Sequence, residues 1–385
     1  MSKRKICVVI TARPSYSRIK SALEAIRNHP DLELQLVVAA SALLDRYGTA
    51  YKYIEQDGFT IAAKVFNVLE GENLTAQAKT TGLGILELAT VFENLKPDAV
   101  VTIADRFETM ATAIAASYMN IPLVHIQGGE VTGSIDEKVR HAVTKLSDLH
   151  FVASEEAKDR VLRMGESQHS VMVTGCPSID IASQVVSQSE TVFDPIAKYG
   201  GVGTTKINLD HYLVVLQHPV TTEYADARAQ VEITLDAIRE LDTTCLWFWP
   251  NVDAGSDGTS KGIRAFREKH PDSKIHFFKN MEPEDFLHLL IRAKALVGNS
   301  SVGIRECSFL GVPVVDIGTR QSGRSKGRNV VQVGYGKNEI MDAVRSQIQH
   351  GPYPSEYIYG DGNAGVRIAE HLARLPLSYD KKINY

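Results

Sequence analysis

Short runs dense in Val, Ile and Leu alternate with stretches in which apolar residues recur every three or four positions, and this rhythm continues along the chain. Buried parallel strands read as continuous apolar runs, and their crossover helices carry one apolar stripe, so the alternation indicates βαβ units. In the first half it predicts strands near Lys5–Ile10, Glu33–Ala39, Ala99–Ile103, Leu123–Ile126, His150–Ala153 and Ser170–Thr174, with helices over Arg18–Asn28, Phe107–Met119, Asp136–Leu146 and Glu155–Met164. Periodicity fades over Val192–Asp210, which holds Pro195 and Gly200-Gly201. It then restarts with strands near Tyr212–Gln217, Cys245–Trp249, Lys274–Phe278, Ala295–Val297 and Val314–Ile317, and helices near Ala225–Glu240, Gly262–Lys269, Pro283–Ala293 and Gly303–Phe309.

The expected fold is α/β: two Rossmann-like, doubly wound domains, residues 1–190 and 191–362, with a central cleft. A last helix near Gly365–Leu372 belongs to a C-terminal segment, 363–385, that the pattern allows to pack on either domain and that is assigned to the first. The length supports this division, because 385 residues exceed what one ordinary core organises.

Composition narrows the functional classes. A net charge of −4 provides no overall basic field for nucleic acid or an anionic membrane, so an anionic ligand needs a local site. The basic start Met1–Lys5 precedes an apolar run of only Ile6–Ile10, too short for a signal peptide. No stretch approaches a membrane span, and a cytoplasmic protein is expected, with neither nucleic acid nor membrane as partner. Apolar residues on the first-half helices make a homodimer or homotetramer the expected assembly. Cys7, Cys176, Cys245 and Cys307 are scattered without zinc-ligand spacing, and are expected to be reduced, buried thiols with no metal.

Ligands of open parallel sheets bind beyond the carboxyl ends of the strands, which directs attention to four segments. Thr11–Arg18 offers Arg13 and hydroxyls, including Ser17, at a helix N-terminus, an anion site unless Ser15 or Ser17 only caps the helix. Gly298–Glu306 turns from a strand into a helix through Ser300 and Ser301, where backbone amides and hydroxyls can meet phosphate oxygens. It is no Walker motif, and simple capping explains it equally in kind. Gln217-His218-Pro219 places an imidazole after the first strand of the second half. The fourth joins Ala104–Glu108, containing Asp105 and Arg106, to His125–Glu130 and Ser134–His141. This density of carboxylates, histidines and arginines suits proton transfer, although Ser134 with Glu137 also reads as a capping box and Asp136 with Arg140 as an ordinary helix pair. No GxGxxG opens the first βα turn, so no nicotinamide cofactor is expected.

Arg13 with Tyr16-Ser17, the run Asp105–Glu108, HIQGGE at His125–Glu130, SIDEKVRHAVTKLSDLH at Ser134–His150, QHP at Gln217–Pro219 and GNSSVGIRE at Gly298–Glu306 together resemble the hydrolysing UDP-N-acetylglucosamine 2-epimerases. The resemblance covers nearly the whole chain. It implies a glycosyltransferase-B-type fold and a UDP-sugar substrate split into UDP and the free 2-epimer, such as N-acetylmannosamine. The C2 proton and UDP depart to leave a glycal, to which water adds, with no metal and no cofactor. It further implies acid-base roles for Asp105, Glu130 and Asp136, and an orienting role for Arg140. Arg13, His218, Ser300 and Ser301 would hold phosphates, with His218 also counted among the catalytic residues, Glu306 would hold the ribose, and Ser17, Arg106, His125, Gln127, Asn251 and Arg320 would line the substrate site.

One departure concerns Gln127, where related enzymes often carry a glutamate with a proton-transfer role; an amide cannot take that proton at neutral pH. Either Glu130 serves instead or the sugar differs, a UDP-2,4-diacetamido-2,4,6-trideoxy sugar for legionaminic acid being the alternative substrate. A non-hydrolysing epimerase, a UDP-sugar glycosyltransferase and a silent UDP-sugar sensor are the other readings, the last two leaving the carboxylates without a purpose.

Overall fold

The computed structural model describes residues 3–44, 49–69, 74–131, 135–188, 193–250 and 256–384. They form two compact units: Met1–Val131, Ile135–Ile181 and Tyr359–Tyr385 in the first, and Ala182–Ile358 in the second.

The first unit contains β1 (Arg4–Ile10), α1 (Arg13–Asn28), β2 (Leu32–Ala39), α2 (Ala50–Gln56), β3 (Ile61–Val65), α3 (Leu74–Leu95), β4 (Ala99–Ile103) and α4 (Thr109–Tyr118). It continues through β5 (Leu123–Ile126), α5 (Ile135–Leu146), β6 (Leu149–Val152), α6 (Glu155–Arg163), β7 (Val171–Val173) and the start of α7 (Pro177–Ser187). The seven strands pair in parallel in the order β3-β2-β1-β4-β5-β6-β7. The alternation along β1 shows why this strand sits centrally. Ile6, Val8 and Ile10 enter the core that includes Ile19, Leu23 and Ile26 of α1, whereas Cys7 and Val9 enter the opposite core with Leu88, Phe92 and Ala111.

The second unit follows α8 (Pro195–Tyr199) and β8 (Val202–Gly203) with β9 (Tyr212–Leu216), α9 (Ala227–Glu240), β10 (Thr244–Phe248), α10 (Ser256–Lys269), β11 (Ile275–Phe278) and α11 (Pro283–Arg292). Then come β12 (Ala295–Gly298), α12 (Ser301–Ile304), α13 (Glu306–Leu310), β13 (Val314–Ile317), β14 (Val330–Val333) and α14 (Lys337–His350). Its strand order is β14-β13-β12-β9-β10-β11-β8, parallel except for β8, which runs antiparallel to β11. Both units are thus doubly wound α/β sheets, and the order reverses beside β1 and β4 in one and beside β9 and β12 in the other.

The helix α15 (Ala364–Arg374) packs on α1 within the first unit. Asp180 of α7 accepts from the Ala364 and Gly365 amides at 2.9 and 2.7 Å and from the Ser21 hydroxyl at 2.8 Å, so a distant carboxylate caps α15. No side chain of Gly365 could be tolerated, since a Cβ there would lie 2.7 Å from the Ser21 backbone.

Several elements lie outside the sequence expectation. Helix α1 begins at Arg13 instead of Arg18, and the single helix expected over Gly303–Phe309 is broken at Arg305, whose φ and ψ are −98° and −73°. Strands β3 and β14 and helices α2, α3, α7 and α14 were not expected. In α3, Gly82 and Gly84 interrupt the helical stripe, but Gly84 is where Ala111 of α4 comes close, 2.9 Å from a Cβ added there. Helix α14 did carry a legible signal: Ile340 and Val344, one turn apart, are both fully buried.

Candidate active site

In the first unit the fully buried cation Arg140 of α5 organises the ends of β4 and β5. Its Nη2 donates to the Asp105 carboxylate just past β4, and its Nη1 donates to the Glu130 carbonyl past β5 at 2.7 Å. Asp105 and Glu130 are themselves 9% and 5% exposed, so one guanidinium gathers the carboxylate of Asp105 and the backbone at Glu130 on consecutive strand ends. Asp136 sits half-buried in the first turn of the same helix. Whatever else Asp136 and Arg140 touch, the guanidinium reaches well beyond an ordinary i,i+4 helix pair.

The glycines after β5 make that gathering possible. Gly129 has φ +75°, and a Cβ there would lie 2.3 Å from the Ala157 carbonyl oxygen. A Cβ on Gly128 would lie 3.0 Å from both His125 Nδ1 and Thr144 Oγ1.

His125 lies inside the first unit. Its ring has 0% exposure, Nε2 pairs with the Ala104 carbonyl at 2.8 Å and Nδ1 with the Thr144 hydroxyl at 3.1 Å. Burial pushes its pKa down to about 4, partly opposed by the Ala104 carbonyl, so the ring is neutral and bonded on both sides. It holds Ala104, which adopts φ +65° immediately before Asp105. Gln127 is also turned inward: it is 2% exposed, has φ +65° and donates to Cys176 Sγ at 2.8 Å. Arg106 lies beside Glu108 at 3.2 Å, an acid that also accepts from Ser41.

At the start of α1 neither Ser15 nor Ser17 is the N-cap residue. Ala12 holds the N-cap position without a side-chain bond, Pro14 follows in the first turn, and Ser15 and Ser17 lie inside the helix. The Ser17 hydroxyl donates to the Arg13 carbonyl at 3.4 Å, and the Arg13 guanidinium lies 4.7 Å from the centre of the Tyr53 ring. The amides at this helix start are therefore not consumed by a side-chain cap.

In the second unit the sheet reversal brings together the ends of β9 and β12. Asn299 joins them: its side chain accepts from the His218 amide at 2.7 Å and donates to the His218 carbonyl at 2.8 Å. Its own carbonyl accepts from Arg320 at 3.1 Å and Gln321 at 2.8 Å. Burial, with the Arg320 charge adding to it, pushes His218 well below its ordinary pKa, so the ring is neutral. Gly298, with φ +135°, allows the close approach, because a Cβ would lie 2.3 Å from the Leu216 carbonyl oxygen. Ser300 accepts from the Val302 amide at 3.4 Å, Ser301 accepts from Arg305 at 2.8 Å, and Glu306 is buried 4.0 Å from Arg305. Asn251 lies outside the described residues, as does Ser134 of the expected capping box.

Sequence reading grouped the strand-end acids and the GNSS turn but assigned no part to Asn299, Thr144 or Arg305. The signal for Asn299 was its place directly after a strand; for the other two there was none, because their partners are distant or lie across a helix break. Among the described residues no group of three or more His, Cys, Asp or Glu side chains is placed to hold a metal ion, and no helix is long and apolar enough to cross a membrane.

A family profile described as UDP-N-acetylglucosamine 2-epimerase matches residues 24–373. A Legionella pneumophila protein named UDP-N,N'-diacetylbacillosamine 2-epimerase (hydrolyzing) is 32% identical over 374 residues, 97% of each chain. A Neisseria meningitidis serogroup B protein named UDP-N-acetylglucosamine 2-epimerase is 30% identical over 361 residues, 94% of this chain and 92% of that one. Among solved structures, the Methanocaldococcus jannaschii UDP-GlcNAc 2-epimerase in complex with UDP-GlcNAc and UDP superposes with a TM-score of 0.77 at 20% identity, covering 96% of this chain and 99% of the other. That likeness establishes a shared fold of glycosyltransferase-B type.

Proposed function

The chain belongs to the UDP-N-acetylglucosamine 2-epimerase family, and from that premise we propose that it is a hydrolysing 2-epimerase converting a UDP-2-acetamido sugar to UDP and the free 2-epimer. In the first half-reaction a carboxylate removes the C2 proton, the C2–H electron pair forms the C1=C2 bond of a glycal, and the C1–O bond breaks with its electrons leaving on UDP. In the second, water adds its hydroxyl at C1 while an acid delivers a proton to the opposite face of C2. Asp105, Glu130 and Asp136 take the proton-transfer roles, with Arg140 orienting Asp105. In the second unit His218, Ser300 and Ser301 take phosphate contacts, Glu306 the ribose, and Arg320 and Asn251 contribute to substrate binding; in the first unit Arg13 takes a phosphate contact and Ser17 and Arg106 contribute to substrate binding.

The observation that carries this reading is buried Arg140 binding the Asp105 carboxylate and the Glu130 backbone carbonyl at consecutive strand ends. Deprotonating carbon needs an acid-base group held in register, and a nucleotide-binding module alone has no use for one. His125 acts through the Ala104 backbone it holds, and Gln127 through its bond to Cys176.

UDP-N-acetylglucosamine is the first substrate to test. The name of the Legionella relative favours a second reading, a UDP-2,4-diacetamido-2,4,6-trideoxy sugar of the diacetylbacillosamine type. Both sugars would be offered in deuterium oxide, with released UDP measured and the product followed by proton NMR. Free sugar anomers carrying deuterium at C2 are expected. A UDP-linked epimer as the sole product would mean a non-hydrolysing enzyme, and product without deuterium at C2 would exclude proton abstraction.

A further inference from the structure

We propose that Arg305 is a positioning residue for the diphosphate, acting through the Ser301 hydroxyl; this rests on the reading of Ser300–Ser301 as a nucleotide site. Arg305 stands at the break between α12 and α13, and its side chain is 2% exposed. A guanidinium this deeply buried needs hydrogen-bond acceptors beside it.

The geometry supplies one. Arg305 Nη2 donates to Ser301 Oγ at 2.8 Å, whereas the Glu306 carboxylate is 4.0 Å from Nε, outside hydrogen-bonding range. A serine hydroxyl has two acceptor lone pairs and a single proton. The guanidinium occupies a lone pair and has no acceptor to offer in return, so the Ser301 proton must point away from Arg305. Ser301 is half-buried at the first position of α12, two residues after Asn299, whose carbonyl accepts from Arg320. A hydroxyl held as a donor, polarised by a cation behind it, matches an anionic oxygen and not another donor. Arg305 thereby favours the phosphates of the ligand over its base or ribose.

The test compares UDP binding by calorimetry with uridine binding by ligand-observed NMR, using the full chain. Arg305→Met should weaken UDP about ten-fold, the scale of one charge-assisted hydrogen bond, and leave uridine unchanged. Arg305→Lys should recover part of that loss. In a Ser301→Ala background, Arg305→Met should cost less than three-fold. Arg305→Gln carries the same expectation as Arg305→Met should the latter fail to fold. Equal weakening of UDP and uridine would reveal a purely structural role and overturn the proposal, as would an undiminished ten-fold loss without the Ser301 hydroxyl. Unchanged UDP binding in the arginine variants would sink the Arg305 inference while leaving the nucleotide site intact. Failure of the unmodified protein to bind UDP would instead overturn the underlying site reading together with this inference.

Discussion

Replacing Glu166 by glutamine should destabilise the first unit at neutral pH and have progressively less effect in acid. Glu166 accepts from His150 at 3.0 Å, Lys145 at 2.5 Å and Lys381 at 2.7 Å, and its side chain is 3% exposed. Burial by itself raises its pKa, but the hydrogen bonds from His150, Lys145 and Lys381 more than offset this and hold it at about 2, against an ordinary 4.5. That difference sets a ceiling of about 3 kcal/mol at pH 7. Lys145 and Lys381 remain 39% and 21% exposed, so water screens them, and about 1–2 kcal/mol is the working expectation. Because the folded-state value is the lower one, the stabilisation is complete above the unfolded value near 4.5 and disappears as pH falls through about 2. Urea unfolding followed by far-ultraviolet circular dichroism, on the parent chain and Glu166→Gln, should give a stability difference that loses more than half its size by about pH 3. A difference that stays constant from pH 7 to pH 3, or widens in acid, would refute the ion-cluster account.

Asp180→Ala should uncap α15 and cost about 1–3 kcal/mol, read as faster hydrogen exchange at the Ala364 and Gly365 amides; unchanged exchange there would contradict the remote cap. Gly129→Ala, at φ +75° and against the Ala157 carbonyl, should lower stability by at least about 1–2 kcal/mol and reduce turnover by displacing Glu130; a variant equal to the parent in both would show that the close approach is not needed. Arg140→Met should reduce kcat by about a hundred-fold or more while the Kd for UDP changes little, and equal losses in both would remove Arg140 from the proton-transfer machinery.

Local chemistry wrote much of this protein into its sequence. Central strands are buried on both faces, so β1, β4 and β9 appear as short, largely apolar runs. The residues beyond them were legible for the same reason: once a strand end is located, Asp105, Glu130, His218 and the Ser300–Ser301 turn fall where parallel sheets bind ligands. What the folded molecule alone decided is how distant residues use one another. Only tertiary structure makes His125 a neutral bridge between Ala104 and Thr144, points Gln127 at Cys176 and breaks a helix at Arg305, whose guanidinium reaches Ser301. Lys381 reaching Glu166 and Asp180 capping α15 belong to the same class. Periodicity encodes which face of an element is buried, whereas the partner of a buried polar group depends on which other element the chain brings within about 3 Å, and no local pattern carries that distance.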